Sequence, residues 1–231
     1  MTEPVRDYAT AYRELRERVT ALVRVSSEGD LDRTAPATPE WRVRDILGHL
    51  AGVCDDVSHG RLEGVATDAW TDAQVAKRRD WSTDRLLADW AEHAEAIQPQ
   101  MHAFPPIAVG QMVSDAFTHE QDIRGALGEP GGGDSTALEI AYDWSTDRLH
   151  DRLAATSGGT LVIETEAGTK TLGDGEPVSH LRANRLEIVR AATGRRSRAQ
   201  LEALDRDGPF DPEGLLLSST IFTPAATDLV E

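Results

Sequence analysis

Apolar residues recur at three- and four-residue steps through the first segment of the chain, at Val5, Tyr8, Tyr12, Leu15, Val19 and Leu22, with Arg and Glu between them. That spacing predicts a helix over about residues 3–27 that buries one stripe. Ser26, Ser27, Gly29 and the prolines Pro36 and Pro39 break it. Thr38-Pro39-Glu40 then combines a capping residue, a first-turn proline and an early acid, which places a second helix from residue 39. Its stripe is Val43, Ile46, Leu47, Leu50, Cys54 and Val57, running out near Gly60 to Gly64. A third helix opens at Ser82, with Leu86, Leu87, Trp90, Ala94 and Ile97 on one face before Pro99. A fourth follows Pro105-Pro106, with Met112, Ala116, Ile123 and Leu127 facing inward. Four helices of similar length predict a bundle.

Gly128-Glu-Pro-Gly-Gly-Gly-Asp134 is the clearest linker, because three consecutive glycines carry too much backbone entropy to lie inside an element. It divides the chain into a bundle over residues 1–130 and a second domain over 135–231. In the second domain Thr136 to Thr156 reads as a helix. Thr160–Thr165 and Lys170–Leu172 read as strands around the turn Ala167-Gly168, and Asn184 to Thr193 reads as a helix stopped by Gly194. The fold class expected is therefore mainly α: a four-helix bundle followed by a small α+β C-terminal domain. Trp144-Ser-Thr-Asp-Arg-Leu149 repeats Trp81-Ser-Thr-Asp-Arg-Leu86, which suggests two similarly capped helices.

Composition narrows the class of partner. The 231 residues carry 24 Lys and Arg against 40 Asp and Glu, a net charge of −16. An acidic surface of this size offers no basic stripe for phosphates, which argues against nucleic acid or an anionic membrane and favours small molecules. Cys54 is the only cysteine, which excludes an internal disulfide or a CxxC motif and fits a reducing compartment. Met1 leads directly into an amphipathic pattern, with no signal segment and no apolar run near ~20 residues, so the expected location is cytoplasmic.

Asp115 and His119 are four residues apart on the fourth predicted helix, so their side chains project from neighbouring turns of one face. A carboxylate and an imidazole suit a divalent ion of zinc type, whose catalytic sites take three protein ligands and keep one position open. His49, mid-helix in the second segment, is the candidate third ligand, with Asp45 four residues before it as a possible partner. The alternative is a solvated polar face. His119-Glu120 begins the zinc-protease pattern HExxH, but Ile123 stands where the second histidine belongs. His59 lies on a different face from His49, and His93, His102, His150 and His180 lack partners at ligand spacing, so all five are expected at the surface. No Gly-x-Ser-x-Gly, P-loop or GxGxxG occurs. Cys54 lies on an apolar stripe and reads as a buried thiol rather than a nucleophile. Arg195, Arg196 and Arg198 either hold a substrate carboxylate or cap the preceding helix.

Taken in order, Thr38-Pro-Glu-Trp41, Val43-Arg-Asp-Ile-Leu-Gly-His-Leu-Ala-Gly52 and Asp115-Ala-Phe-Thr-His-Glu-Gln-Asp-Ile-Arg-Gly-Ala-Leu-Gly128 resemble the mycothiol-dependent maleylpyruvate isomerase family, whose metal-binding bundle is DinB-like. Thr193-Gly-Arg-Arg-Ser197 is similar to its smaller C-terminal domain. The resemblance implies a zinc-type ion on His49, Asp115 and His119, and mycothiol as cofactor. Asp115 stands where the isomerase proper has Glu, and no arginine follows Arg206 to match the family's substrate arginine.

A free thiol is mostly protonated at neutral pH, and coordination to a divalent cation deprotonates it. The expected function is therefore metal-dependent activation of a low-molecular-weight thiol, which attacks a small electrophile and gives either isomerisation or S-transfer. Asp56 and Arg124 are the candidate contacts to cofactor or substrate, with surface or helix-end charges as the alternative for both. The competing readings are a metal or small-ligand binding protein without turnover and a metal-dependent hydrolase.

Overall fold

The computed structural model describes residues 7–155 and 159–230. The positions expected to be helical at residues 3–6, Val5 among them, and at Thr156 lie outside these. The chain forms two compact units, Met1–Val109 with His119–Pro130, and Gly110–Thr118 with Gly131–Glu231. The expected division differs in one respect: Gly110–Thr118 was placed with the first domain and groups with the second.

In the first unit, α1 (Tyr8–Val25) starts where the Asp7 side chain accepts from the Thr10 backbone N–H, and it buries Tyr12, Leu15, Val19 and Val23. A short helix α2 (Glu28–Leu31) follows its Ser27 cap. The next element corrects the sequence reading. Thr38, Pro39 and Glu40 do not open a helix; β2 (Thr38–Arg42) pairs antiparallel with β1 (Thr34–Ala35). A two-stranded ribbon is all edge, so Pro39 fits there without removing an interior ladder bond. Helix α3 (Val43–Ser58) begins four residues later than expected.

Helix α4 (Asp68–Arg78) was not anticipated; Thr67 caps it, and its buried residues are Gln74, Val75 and Arg78. Helix α5 (Thr83–Ile97) starts at the Ser82 cap, and α6 (Pro106–Leu127) ends at Gly128, whose φ of 70° is the left-handed conformation glycine adopts readily. The four long helices expected are thus α1, α3, α5 and α6, with α4 added. Among the described residues no helix is long and apolar enough to cross a membrane.

Helix α3 packs against both α4 and α5. Its approach to α4 depends on Gly48 and Gly52: a Cβ on Gly52 would stand 2.5 Å from the Gln74 Cβ, and one on Gly48 3.3 Å from the Arg78 Cβ. We expect Gly52→Ala to lower the unfolding free energy by about 2 kcal/mol in urea titration, since overpacking exceeds the gain in helix propensity.

The second unit contains α7 (Thr136–Ala155), the hairpin β3 (Thr160–Thr165) and β4 (Gly168–Leu172), β5 (Pro177–Arg182), α8 (Arg185–Ala192), α9 (Arg198–Glu202) and β6 (Asp205–Asp207). The sheet order is β4-β3-β5-β6, with β3 and β5 parallel and the outer pairs antiparallel. The first two strands and both longer helices lie where the periodicity places them; β5 and β6 were not anticipated. The repeated hexapeptide adopts two roles. Ser82 caps α5, whereas Ser145 is buried in mid-α7, where Thr146 returns its hydroxyl to the Tyr142 carbonyl at 2.9 Å. Identical local sequence is here overridden by packing.

Candidate metal centre

Helix α3 opens on a tight ionic cap. The Arg42 backbone N–H donates to Asp45 at 3.0 Å, and the guanidinium donates to both carboxylate oxygens at 2.9 Å. Asp45 is therefore engaged at the helix start, as first-turn acids are, which favours coincidence over a pairing with His49 as the reason for their four-residue spacing. His49 lies one turn further on and is buried, 4% exposed. Its Nδ1 is 2.9 Å from Oε1 of Gln74 on α4, and Gln74 Nε2 donates to Asp56 Oδ2 at 2.7 Å.

His119 on α6 has its Nδ1 3.0 Å from Oδ2 of the buried Asp122. The two imidazole centroids are 4.9 Å apart with planes at 75°. Trp41, delivered by β2, lies against both rings with centroid separations of 5.3 and 5.7 Å. Asp115 sits one turn before His119 on the same helix and is half-buried. One ligand atom from each of His49, Asp115 and His119 lies within 4.8 Å of the other two. Zinc bonds of about 2.0–2.2 Å set tetrahedral ligands roughly 3.4 Å apart, so modest closure suffices. Two imidazoles and a carboxylate, with Nδ1 of each imidazole already engaged, form a donor set that fits a zinc-type ion with one position open.

A second group meets the same distance condition and corrects an expectation. Asp55, His59 and His93 converge, although the sequence reading gives His93 no partner at ligand spacing and places both histidines at the surface. The charge around Asp55 speaks against a cation there. It accepts from Lys77 at 2.6 Å, Arg61 at 2.6 Å and Arg78 at 2.8 Å. Burial alone would raise its carboxyl, but these three donors hold it well below the usual carboxylate range. The cluster is an ion-pair network that ties α3 to α4, and through the bond from Arg78 to Asp89 (2.9 Å) to α5.

Glu120, the residue after His119, is fully buried and accepts from Arg18 at 2.7 and 2.9 Å and from Arg124 at 3.0 Å. Arg124 also donates to the Glu129 carbonyl at 3.0 Å, a contact at the end of α6. Asp56 lines a cavity of about 550 Å³ together with Arg61, Trp70, Gln74 and Lys77. In the second unit Arg195 donates to the Thr193 carbonyl, Arg196 binds Glu187 at 2.7 and 2.9 Å, and Arg198 pairs with Glu213. These contacts favour the structural reading of that basic patch.

Cys54 is sealed in the core of the first unit, with its Sγ 3.0 Å from the Tyr12 hydroxyl, which also accepts from Trp90 Nε1 at 3.1 Å. Burial pushes the thiol up to about 12. At pH 8 only about one thiol in ten thousand is then ionised. We expect a chromogenic disulfide reagent to leave the native protein unlabelled for hours and to react with one thiol per chain in denaturant. Prompt native labelling would contradict the burial.

Bundle helices carrying a histidine-and-carboxylate ligand set, in a chain that continues into an α+β unit, define the class: a helical protein with a candidate metal centre. Residues 12–129, just over half of the chain, match the mycothiol maleylpyruvate isomerase N-terminal domain. The chain belongs to the mycothiol maleylpyruvate isomerase family, a family of enzymes. Two solved structures share its fold, a mycothiol-dependent maleylpyruvate isomerase (TM-score 0.62) and a point mutant of such an isomerase (TM-score 0.61). Each is 13% identical, with 91% of this chain and 96% of the other covered. No curated protein sequence matches the chain.

Proposed function

We propose that this protein is a cis–trans isomerase that uses mycothiol as its cofactor and a small cis-unsaturated acid of the maleylpyruvate type as its substrate, with His49, Asp115 and His119 holding a zinc-type ion. The observation that carries this reading is the convergence of those three side chains inside the segment that defines the family. Bound there, the ion supplies positive charge that favours thiolate over thiol at neutral pH. The chain's own residues orient the ligands: Asp122 holds His119, Gln74 holds His49, and Trp41 covers the faces of both rings. The cavity bordered by Asp56 and Trp70 has the size and polarity to take the remainder of a low-molecular-weight thiol.

Addition of the thiolate to the electrophilic carbon turns the substrate double bond into a single bond. Rotation and expulsion of the same thiolate restore the double bond in the trans form, with no net consumption of thiol and no redox change. The test supplies zinc-loaded protein with mycothiol and maleylpyruvate and follows the ultraviolet spectrum and free thiol together. The expected result is catalytic conversion with thiol conserved, abolished by chelation and restored by zinc. Stoichiometric thiol loss would replace isomerisation by S-transfer. Turnover without thiol would establish a metal-dependent hydrolase, and no turnover at saturating zinc and thiol a binding protein; both outcomes overturn the proposal.

A further inference from the structure

We propose that Gln74, itself oriented by Asp56, is a positioning residue that fixes His49 in its Nδ1–H tautomer and thereby reserves Nε2 for a cation. Only the second half rests on the metal reading above. The argument starts from the two unlike ends of an amide. The Asp56 carboxylate accepts hydrogen bonds and donates none. One of its oxygens takes Arg61 Nε at 2.8 Å, and the other takes Gln74 Nε2 at 2.7 Å. Gln74 must therefore turn its NH₂ toward Asp56, which leaves its carbonyl oxygen 2.9 Å from His49 Nδ1. A carbonyl also only accepts, so Nδ1 must carry the proton. The opposite tautomer would set two lone pairs against each other at 2.9 Å, beside a Gln74 that is 3% exposed.

The rest of the first unit explains why a second helix supplies this contact. His119 has an acceptor three residues away on its own helix, in Asp122. His49 has Asp45 four residues before it, but that carboxylate is engaged by Arg42. An acceptor must come from elsewhere, and α4 brings one. Two of the three residues that α4 buries, Gln74 and Arg78, are polar, and Gly52 omits the Cβ that would stand 2.5 Å from Gln74. Helix α4 is thus placed by polar contacts and by a missing methyl group, with its amide against the ligand histidine.

Nitrogen-15 NMR of the labelled, metal-free full chain tests this, with the His49 ring assigned by comparison with His49→Ala. Wild type is expected to show His49 as the Nδ1–H tautomer. Gln74→Leu, of similar volume but without an acceptor, is expected to shift it toward the Nε2–H form. The same change is expected to weaken zinc binding, measured by chelator competition, roughly 10- to 100-fold. Asp56→Ala releases the amide to flip and is expected to give a mixture of the two tautomers. An Nε2–H tautomer in wild type, or an unchanged tautomer in Gln74→Leu, overturns the proposal. Should Gln74→Leu fail to fold by circular dichroism, Asp56→Ala decides, and an unchanged tautomer in that variant overturns the proposal. Should wild type bind no zinc, the metal reading fails while the tautomer still decides the role of Gln74.

Discussion

His49→Ala is expected to weaken zinc binding by about 150-fold and to reduce thiol-dependent turnover to the level of the metal-free protein. The magnitude follows from the free energy of protein zinc sites, on the order of 12 kcal/mol shared among four ligands, or about 3 kcal/mol each. Competition against a chromophoric chelator measures the first effect, and steady-state assays with and without added zinc measure the second. The variant should regain activity when zinc is raised in proportion to the lost affinity, provided the remaining Asp115 and His119 still place the ion. Asp115→Asn removes a charge while keeping the shape, and it is expected to weaken zinc more than Asp115→Glu, which preserves the carboxylate. Equal zinc affinity in wild type and His49→Ala would remove His49 from the centre.

Arg78→Met is expected to cost about 3 kcal/mol of stability at pH 7. Arg78 is 2% exposed and joins Asp55 to Asp89, so its removal takes one of three Lys and Arg partners from the buried Asp55 and leaves Lys77 and Arg61. The pH dependence adds a second readout. Because these cations hold the Asp55 carboxyl below its ordinary value, its ion pairs stabilise the fold fully above about pH 4 and are lost as pH falls through the lowered value. The difference between wild type and Arg78→Met in urea titrations should therefore be largest near neutrality and shrink in strong acid. A difference that does not shrink as pH falls through the lowered Asp55 value would assign the effect to packing of the Arg78 methylenes instead.

The parts of the molecule legible in the sequence are those in which apolar period and chemistry coincide. Helices α1, α3 and α5 announce themselves through stripes such as Tyr12, Leu15 and Val19, or Leu86, Trp90 and Ala94, all of which are buried, although the next inward residue of α1 is Val23 and not the expected Leu22. Asp115 and His119 are visible because four residues is one helical turn. Where local signals are ambiguous, reading fails: Thr38-Pro39-Glu40 carries the marks of a helix start, yet a two-stranded ribbon accepts the same residues. Helix α4 is missed for a different reason. Its inward side is Gln74 and Arg78, polar groups whose burial is stabilised by Asp56, Asp55 and Asp89, and no hydrophobic period records that. The partner of His49 was consequently sought in the nearby Asp45, when it lies 25 residues away in Gln74. The convergence of His59 and His93 is invisible for the same reason: it depends on how α5 crosses the end of α3.

The environment of Cys54 bears on the proposed chemistry in a way that extends past stability. A catalyst that brings an activated sulfur nucleophile together with a soft carbon electrophile runs the hazard of alkylating itself, or of forming a mixed disulfide with its own cofactor. This chain has a single thiol to lose in that manner, and it is enclosed by Tyr12 and Trp90 with its proton held on. If the proposed thiol chemistry holds, this enclosure keeps Cys54 out of reach of the activated thiol and of the electrophile.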